Sequence, residues 1–339
     1  ISRLKSVPII GGLLWNIYDK FQSISPYYPF RDLSKPSFGS IYINNLIKKG
    51  FLKSIVDYTK KKELPMVSTF YATALASAHA KLKTYCVVTD TDINRIWVSE
   101  KPKENKIVYL TPSDRATNRL VQYGIPRKNI IFTGFPLPKE NIGKNMKILN
   151  EDLNARLLNL DPNKIFIKRY ESVIKNNLGD AFTNKKTHPL TITFAIGGAG
   201  AQQELVLQIL SSLKNDILNH RIKVNLIAGT RPNISQKFID EITKLGLKKE
   251  IDNYINILCN IDRNIYFESF NKILRTTDIL WTKPSELSFF TGLGIPIIIA
   301  PPIGYHEIIN EKWLVTMGSG IKQENPKYIN EWLFDWVNK

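Results

Sequence analysis

Nine short apolar runs, most of them followed by a segment of helical periodicity, constrain this chain more than any other feature of it. MVSTF, TYCVVTD, KIVYLTPS and NIIFTGFPL lie in the first half, and LTITFAIGG, KVNLIAGT, INILCN, DILWT and IPIIIAPP in the second. Strands that alternate with helices build parallel sheets, because a parallel neighbour is reached only through a crossover. IPIIIA is apolar at every position, which suits a strand covered on both faces. The expected fold class is α/β, and 339 residues suffice for two such domains. Between Pro138 and Pro189 the strand signal gives way to helical patterns, EDLNARLLNL and FIKRYESVIKNNL. The expected division is a first domain over 1–145, a helical linker over 146–187, a second domain over 188–325 and a C-terminal helix over 326–339. Leu46 to Lys62 reads as one basic amphipathic helix. The aromatics of the closing YINEWLFDWVNK need cover from a domain or a membrane.

Charge separates the two halves. Residues 1–187 hold 31 Lys+Arg against 15 Asp+Glu, whereas residues 188–339 hold 16 against 15, so nearly all of the net +17 sits in the first part. Such asymmetry points to an anionic partner for the first domain, a nucleic acid or an anionic lipid surface. Basic residues interleaved with exposed aromatics, or a groove-entering motif, would mark a nucleic-acid binder, and neither is found. No apolar run approaches the 18 or so residues that cross a bilayer. Cys86 and Cys259 lie far apart in apolar surroundings and read as buried thiols. With four histidines and no zinc-type spacing, no metal site is expected. The chain opens at Ile1, as a processed product or a piece of a longer one would. Val7–Phe21 is apolar with Arg3, Lys5 and Lys20 at its margins. It reads as a peripheral membrane contact, since Trp15 and Asn16 break the run a signal peptide needs.

Two segments carry chemistry. In TITFAIGGAGAQQELVLQIL a strand runs into Gly197, Gly198, Ala199, Gly200 and Ala201 and then into a helix. Glycines let amides approach an anion and the helix start adds partial positive charge, as in a diphosphate cradle. In DILWTKPSELSFFTGLGIPIIIAPPIGYHEIINE, Lys283, Ser285 and Glu286 follow one strand, and His306 and Glu307 follow the next. Ligands of doubly wound sheets sit at the carboxyl ends of strands, so these residues are expected on one rim with the glycines. Lys283 suits phosphate there, and a carboxylate such as Glu286 suits ribose hydroxyls. Asp90-Thr91-Asp92 is a literal D-x-D, the pair that holds Mg²⁺ or Mn²⁺ in GT-A glycosyltransferases, but that reading leaves the second half unexplained.

The order strand, GGxGA, helix, strand, polar turn, GIP, strand resembles the nucleotide-sugar domain of GT-B glycosyltransferases. VVTDTDINRIWV and YLTPSDRATNRLVQYGIPRKNIIFTGFPL are similar to the Thr-Asp, Trp, Pro-Ser, Gly-Ile-Pro and Gly-x-Pro series of the monogalactosyldiacylglycerol synthases. The lipid II-forming N-acetylglucosaminyl transferases are a more distant likeness. The resemblance covers about residues 60–320. It implies two Rossmann-like domains facing a cleft and transfer of a hexose from a nucleotide-diphosphate sugar, UDP-linked, to a lipid or lipid-linked acceptor. It places Gly197, Gly198, Gly200 and Ala201 on the diphosphate and the main chain of Asn260 and Ile261 on the base, with no cofactor and no metal. The implied location is cytoplasmic, peripheral on the inner face of the membrane.

The chain departs from the family in three places. Phe289 stands where the family has its ribose-binding Glu, with Glu286 the nearest substitute. Tyr305-His306-Glu307 replaces the Gln-bearing loop. The first strand and its Gly-rich loop, which often carry the catalytic His, are expected ahead of Ile1. Within the chain Asp90 and Asp92 are the catalytic candidates, Asp90 to orient an acceptor or a base, while the base itself is expected ahead of Ile1. A UDP-sugar epimerase of the same fold, or a non-catalytic nucleotide-sugar or nucleic-acid binder, are the alternatives.

Overall fold

The computed structural model describes residues 32–104, 106–195 and 203–338, apart from the side chains of Gln203, Glu286 and Leu287. Two units emerge, one running up to Pro136 and taking in Ile303–Trp313, the other formed by Leu137–Pro302 and Leu314–Lys339. The helices between Lys147 and Leu178 thus pack with the second unit. Val7–Phe21 lies outside the described residues.

The first unit holds a parallel four-stranded sheet in the order β1 (Met66–Ser68), β2 (Thr84–Val87), β3 (Val108–Thr111), β4 (Ile130–Phe132). Cys86 and Tyr109 are fully buried beneath helices Tyr71–His79 and Asp114–Gln122. Burial pushes the Cys86 thiol up to about 12, so it is inert packing. Ser113 caps the second of these helices by accepting from the Ala116 amide at 3.1 Å. The basic segment expected as one helix is two, Phe38–Lys48 and Lys53–Lys61. Gly50 between them takes φ +96°, and Leu52 also enters the left-handed region, so the apolar faces of the two helices meet the core separately.

The second unit has a parallel six-stranded sheet. Its strands are β5 (Leu190–Ala195), β6 (Ile222–Gly229), β7 (Ile255–Cys259), β8 (Ile279–Thr282), β9 (Ile297–Ile299) and β10 (Gly320–Lys322), in the order β10-β9-β8-β5-β6-β7. β5 and β8 lie at its centre, and Phe194 and Trp281 stack edge to face at 5.9 Å on adjacent strands. Burial of each such side chain contributes about 1.5–3 kcal/mol. The C-terminal helix Ile329–Asn338 buries Ile329 and Leu333 on this unit, with Trp332 against Trp281. Its aromatics find their cover on the domain.

Several buried polar groups inside this unit satisfy one another. Thr277, Thr193, Asn225 and Asn256 form a chain of hydrogen bonds of 2.7–3.0 Å running across the sheet. Arg156, on helix Lys147–Leu160, donates to the carbonyls of Thr277 (2.9 Å) and Leu293 (2.8 Å). It thereby fixes the turn before β9. Gly294 in that turn has φ +68°, and a Cβ there would run into Leu153.

Candidate donor and acceptor sites

In the second unit, the carboxyl ends of β5, β8, β6 and β7 form the rim on which ligands of such sheets bind. Thr282 Oγ1 donates to the Ala195 carbonyl at 3.0 Å, locking the ends of β5 and β8 together just before their loops. Gly197, Gly198, Gly200 and Ala201 follow Ala195 and lie outside the described residues. Helix Gln203–Ser212 succeeds them, so the strand-to-helix order of an anion cradle is present on both sides.

Lys283 leaves the end of β8 and is only 6 % exposed. Its carbonyl accepts from the Ser285 amide at 2.8 Å, which makes the polar turn tight. Among the described residues no carboxylate forms an ion pair with Lys283. A buried cation at a sheet's ligand end is disposed to meet an anion. Ser285 precedes the 3₁₀ helix Glu286–Leu293, and Phe289 within that helix is 8 % exposed. Phe289 is thus core, so the ribose-binding carboxylate of the family has no counterpart at that position.

β6 ends at Gly229, whose carbonyl accepts from the Asn260 amide at 3.1 Å after β7. Asn260 Oδ1 accepts from the Asp262 amide, and Asp262 caps helix Arg263–Arg275. Beside this turn opens a cavity of about 470 Å³ lined by Pro232, Ser235, Gln236, Cys259, Asn260 and Ile261. Ile261 is 75 % exposed and contributes nothing to the core. Cys259, expected as buried, is half-buried in the wall of this cavity.

In the first unit the loop after β2 is held at several points. Ser113 Oγ donates to the Thr91 carbonyl (2.7 Å), and Thr91 itself donates from its amide (3.3 Å) and hydroxyl (2.6 Å) to Asn310 Oδ1. Asp92 is buried and accepts at both oxygens. Arg119 meets it with two bonds of 3.0 and 2.9 Å, Arg115 adds one of 2.9 Å, and the Ile93 amide adds another. Asp90 is half-buried between these anchored neighbours. His306 and Glu307 fall in the segment that clusters with the first unit, whereas Lys283 and Ser285 belong to the second. The Glu307 carboxylate turns back to accept from the Ile303 amide.

Residues 180–258 match a family model described as a domain of unknown function, DUF6938. The sequence is 21% identical over 329 residues, 94% of this chain and 71% of the relative, to a processive diacylglycerol beta-glucosyltransferase from Bacillus cytotoxicus. An enzyme of the same name from Bacillus cereus is 22% identical over the same shares. In structure, a Listeria monocytogenes protein described as a UDP-N-acetylglucosamine 2-epimerase superposes with a TM-score of 0.50 at 11% identity, over 87% of this chain and 71% of that one. MurG of Acinetobacter baumannii gives 0.47 at 14% identity, over 86% and 69%. The chain thus has the GT-B fold, two parallel α/β sheets. The second parallel sheet is what a GT-A, D-x-D reading could not supply.

Asp92 has both oxygens committed to arginines, which is a structural clamp. Arg115, Arg119, Asn310 and Arg156 do their work across long sequence separations, and no local pattern marks them. The strand-end residues Lys283 and Asn260 were marked, because an apolar run that stops at a polar turn gives the carboxyl end of a parallel strand.

Proposed function

We propose that the chain is an inverting hexosyltransferase that moves a sugar from a nucleotide-diphosphate sugar, UDP-linked, to the hydroxyl of a lipid or lipid-linked acceptor at a membrane surface. The observation that carries this reading is the likeness, over 94% of the chain, to proteins named processive diacylglycerol beta-glucosyltransferases. The chemistry of the second unit supports the donor side. The base stacks in the cavity beside Asn260 and Ile261, and the diphosphate lies at the turn after β5 with Lys283 as its counter-ion. Glu286 is assigned to the ribose. A base, with Asp90 the candidate to orient it or the acceptor, takes the proton of the acceptor hydroxyl. The alkoxide attacks the anomeric carbon opposite the leaving diphosphate, so the configuration inverts. Lys283 and the amides of the glycine turn take the charge that develops on the leaving group, and this route requires no divalent ion.

The acceptor side is supported by the surface of the first unit. Phe38, Tyr42, Phe51, Ile55 and Tyr58 are exposed on or beside helices Phe38–Lys48 and Lys53–Lys61. Lys48, Lys49, Lys53 and Lys60–Lys62 surround them. Exposed aromatics among lysines, a pattern the sequence alone did not reveal, suit a nucleic acid as well as an anionic bilayer, and the likeness to proteins named diacylglycerol glucosyltransferases favours the bilayer. Among the described residues no helix is long and apolar enough to cross a membrane. The proposed location, peripheral on the cytoplasmic face of the membrane, rests on the lipid-acceptor reading and on this exposed basic surface.

The test is incubation of the chain with radiolabelled UDP-glucose or UDP-N-acetylglucosamine and diacylglycerol in anionic mixed micelles. Label is expected in the organic extract as a β-glycoside. Conversion of the UDP-sugar to its 2-epimer without acceptor would favour the epimerase alternative, and a β-linked product from a soluble sugar alone would exclude the lipid acceptor.

A further inference from the structure

Helices Ile165–Arg169 and Glu171–Leu178 of the second unit carry both buried and exposed apolar residues. Ile167 and Ile174 are buried together with Leu158. Ile165, Phe166, Tyr170 and Val173 are exposed, Phe166 at 50 % and Val173 at 55 %. Phe166, Tyr170 and Val173 form an exposed apolar stripe that crosses the break at Tyr170 between the two helices, and the rings of Phe166 and Tyr170 lie 4.7 Å apart. Inward burial holds the helices in place, so the outward stripe adds nothing to this unit's own core.

The charges around that stripe are one-sided. Residues 161–186 carry six Lys+Arg (Lys164, Lys168, Arg169, Lys175, Lys185, Lys186) against Asp161, Glu171 and Asp180, and Asp161 is buried with its carboxylate on the amides of Ile165 and Ile167. Glu171 is itself neutralised by Lys175 at 2.6 Å. Lys164, Lys168 and Arg169 therefore face solvent next to exposed Phe and Tyr without a nearby competing acid on the stripe. A protein partner would need an acidic groove of matching shape, whereas an anionic bilayer supplies both an apolar layer and diffuse negative charge.

We infer that this helical pair is a membrane foot of the second unit, inserting Ile165, Phe166, Tyr170 and Val173 among the headgroups of an anionic bilayer with Lys164, Lys168 and Arg169 at the phosphate level. This rests on the lipid-surface reading above and adds to it a contact in the donor-side unit, separate from the lysine-rich helices of the first.

The test attaches an environment-sensitive fluorophore to Phe166→Cys in the full chain, with Cys259→Ser to remove the half-buried thiol. Vesicles of phosphatidylcholine with one third phosphatidylglycerol are added, and co-sedimentation of the same sample is measured in parallel. A blue shift at position 166, quenched by spin-labelled lipid and lost in pure phosphatidylcholine, is expected. Ile165→Asn with Val173→Asn should weaken vesicle binding of the otherwise unmodified chain roughly tenfold or more. If the protein co-sediments while the probe stays in a water-like environment, the foot is wrong and the lipid-surface reading stands. If nothing co-sediments, both fall. A blue shift without lipid, growing with protein concentration, would assign the stripe to self-association and overturn the proposal.

Discussion

Lys283 is the residue on which the donor reading presses hardest. Its side chain is nearly removed from solvent at the end of β8, and no carboxylate of the described structure compensates it. The diphosphate of a nucleotide would, and a charge-assisted contact of this kind is worth roughly 1.5–3 kcal/mol. Lys283→Met, which keeps the length and apolar stem, should therefore weaken UDP binding by about tenfold to a hundredfold in calorimetry while leaving the melting temperature of the free protein unchanged or raised. Equal affinity for UDP and uridine in both proteins would remove Lys283 from the site. The same residue shows what sequence makes legible. DILWT followed by KPS announces a strand end and a polar turn, so the position of Lys283 follows from local pattern alone. Asp92 shows the opposite. A D-x-D triplet looks the same whether it faces a metal or a pair of guanidiniums, and the arginines that settle the matter lie 23 and 27 residues away. The Asp92–Arg119 pair is largely buried and costs about 3–5 kcal/mol to break by removing Arg119, whereas half-exposed Arg115 contributes much less.

At the scale of elements, nine of the ten strands were legible because each is an apolar run bounded by polar or glycine residues. The tenth, Gly320–Lys322, is a three-residue edge strand whose sequence GIK carries no period to read. Gly50 was visible, yet an apolar pattern runs through it on both sides. Only the separate burial of Ile47 and Val56 by two helices reveals the break. The connection between Lys147–Leu160 and the sheet was equally silent. It rests on Asp278, just ahead of β8, which accepts from the Thr191 amide (2.8 Å) and Asn159 (2.9 Å) and lies 3.6 Å from His188. Burial pushes the Asp278 carboxyl up to about 8, and burial lowers His188 below its ordinary range. A carboxyl raised from 3.8 keeps its proton in the folded chain while the unfolded chain loses it, so its contribution is full below about pH 4 and is lost as pH rises through about 8. A lowered histidine acts in the reverse sense, below its ordinary range, so the two separate above neutrality. The melting temperature should fall by a few degrees between pH 7 and 8.5 in the native protein and stay flatter in Asp278→Asn. Parallel curves for the two proteins would show that Asp278 is already ionised at neutral pH.

For the whole molecule the decisive quantity is where charge sits. The excess of 31 cations over 15 anions in residues 1–187 against 16 over 15 in the remainder is a sequence fact, and the structure gives it a face by pairing lysines with exposed aromatics on the helices before β1. An electrostatic contribution of about 1 kcal/mol per lysine near anionic headgroups, added to a few inserted rings, gives reversible attachment rather than a permanent anchor. Such attachment has a definite salt signature. The Debye length falls from about 10 Å at 0.1 M to about 3 Å at 1 M, which strips the lysine contribution and leaves only the rings. The chain should co-sediment with anionic vesicles at low salt, leave them at high salt and ignore neutral ones. Lys60→Glu, Lys61→Glu and Lys62→Glu together reverse six charges' worth of attraction at the end of helix Lys53–Lys61, where the lysines also complement the helix dipole. That triple variant should release the protein at a salt concentration well below the native one, with transfer to a short-chain, water-soluble acceptor retained. Loss of both activities together would mean that these lysines hold the fold of the first unit. Vesicle binding unchanged by salt would mean that the charge asymmetry serves a partner other than the membrane.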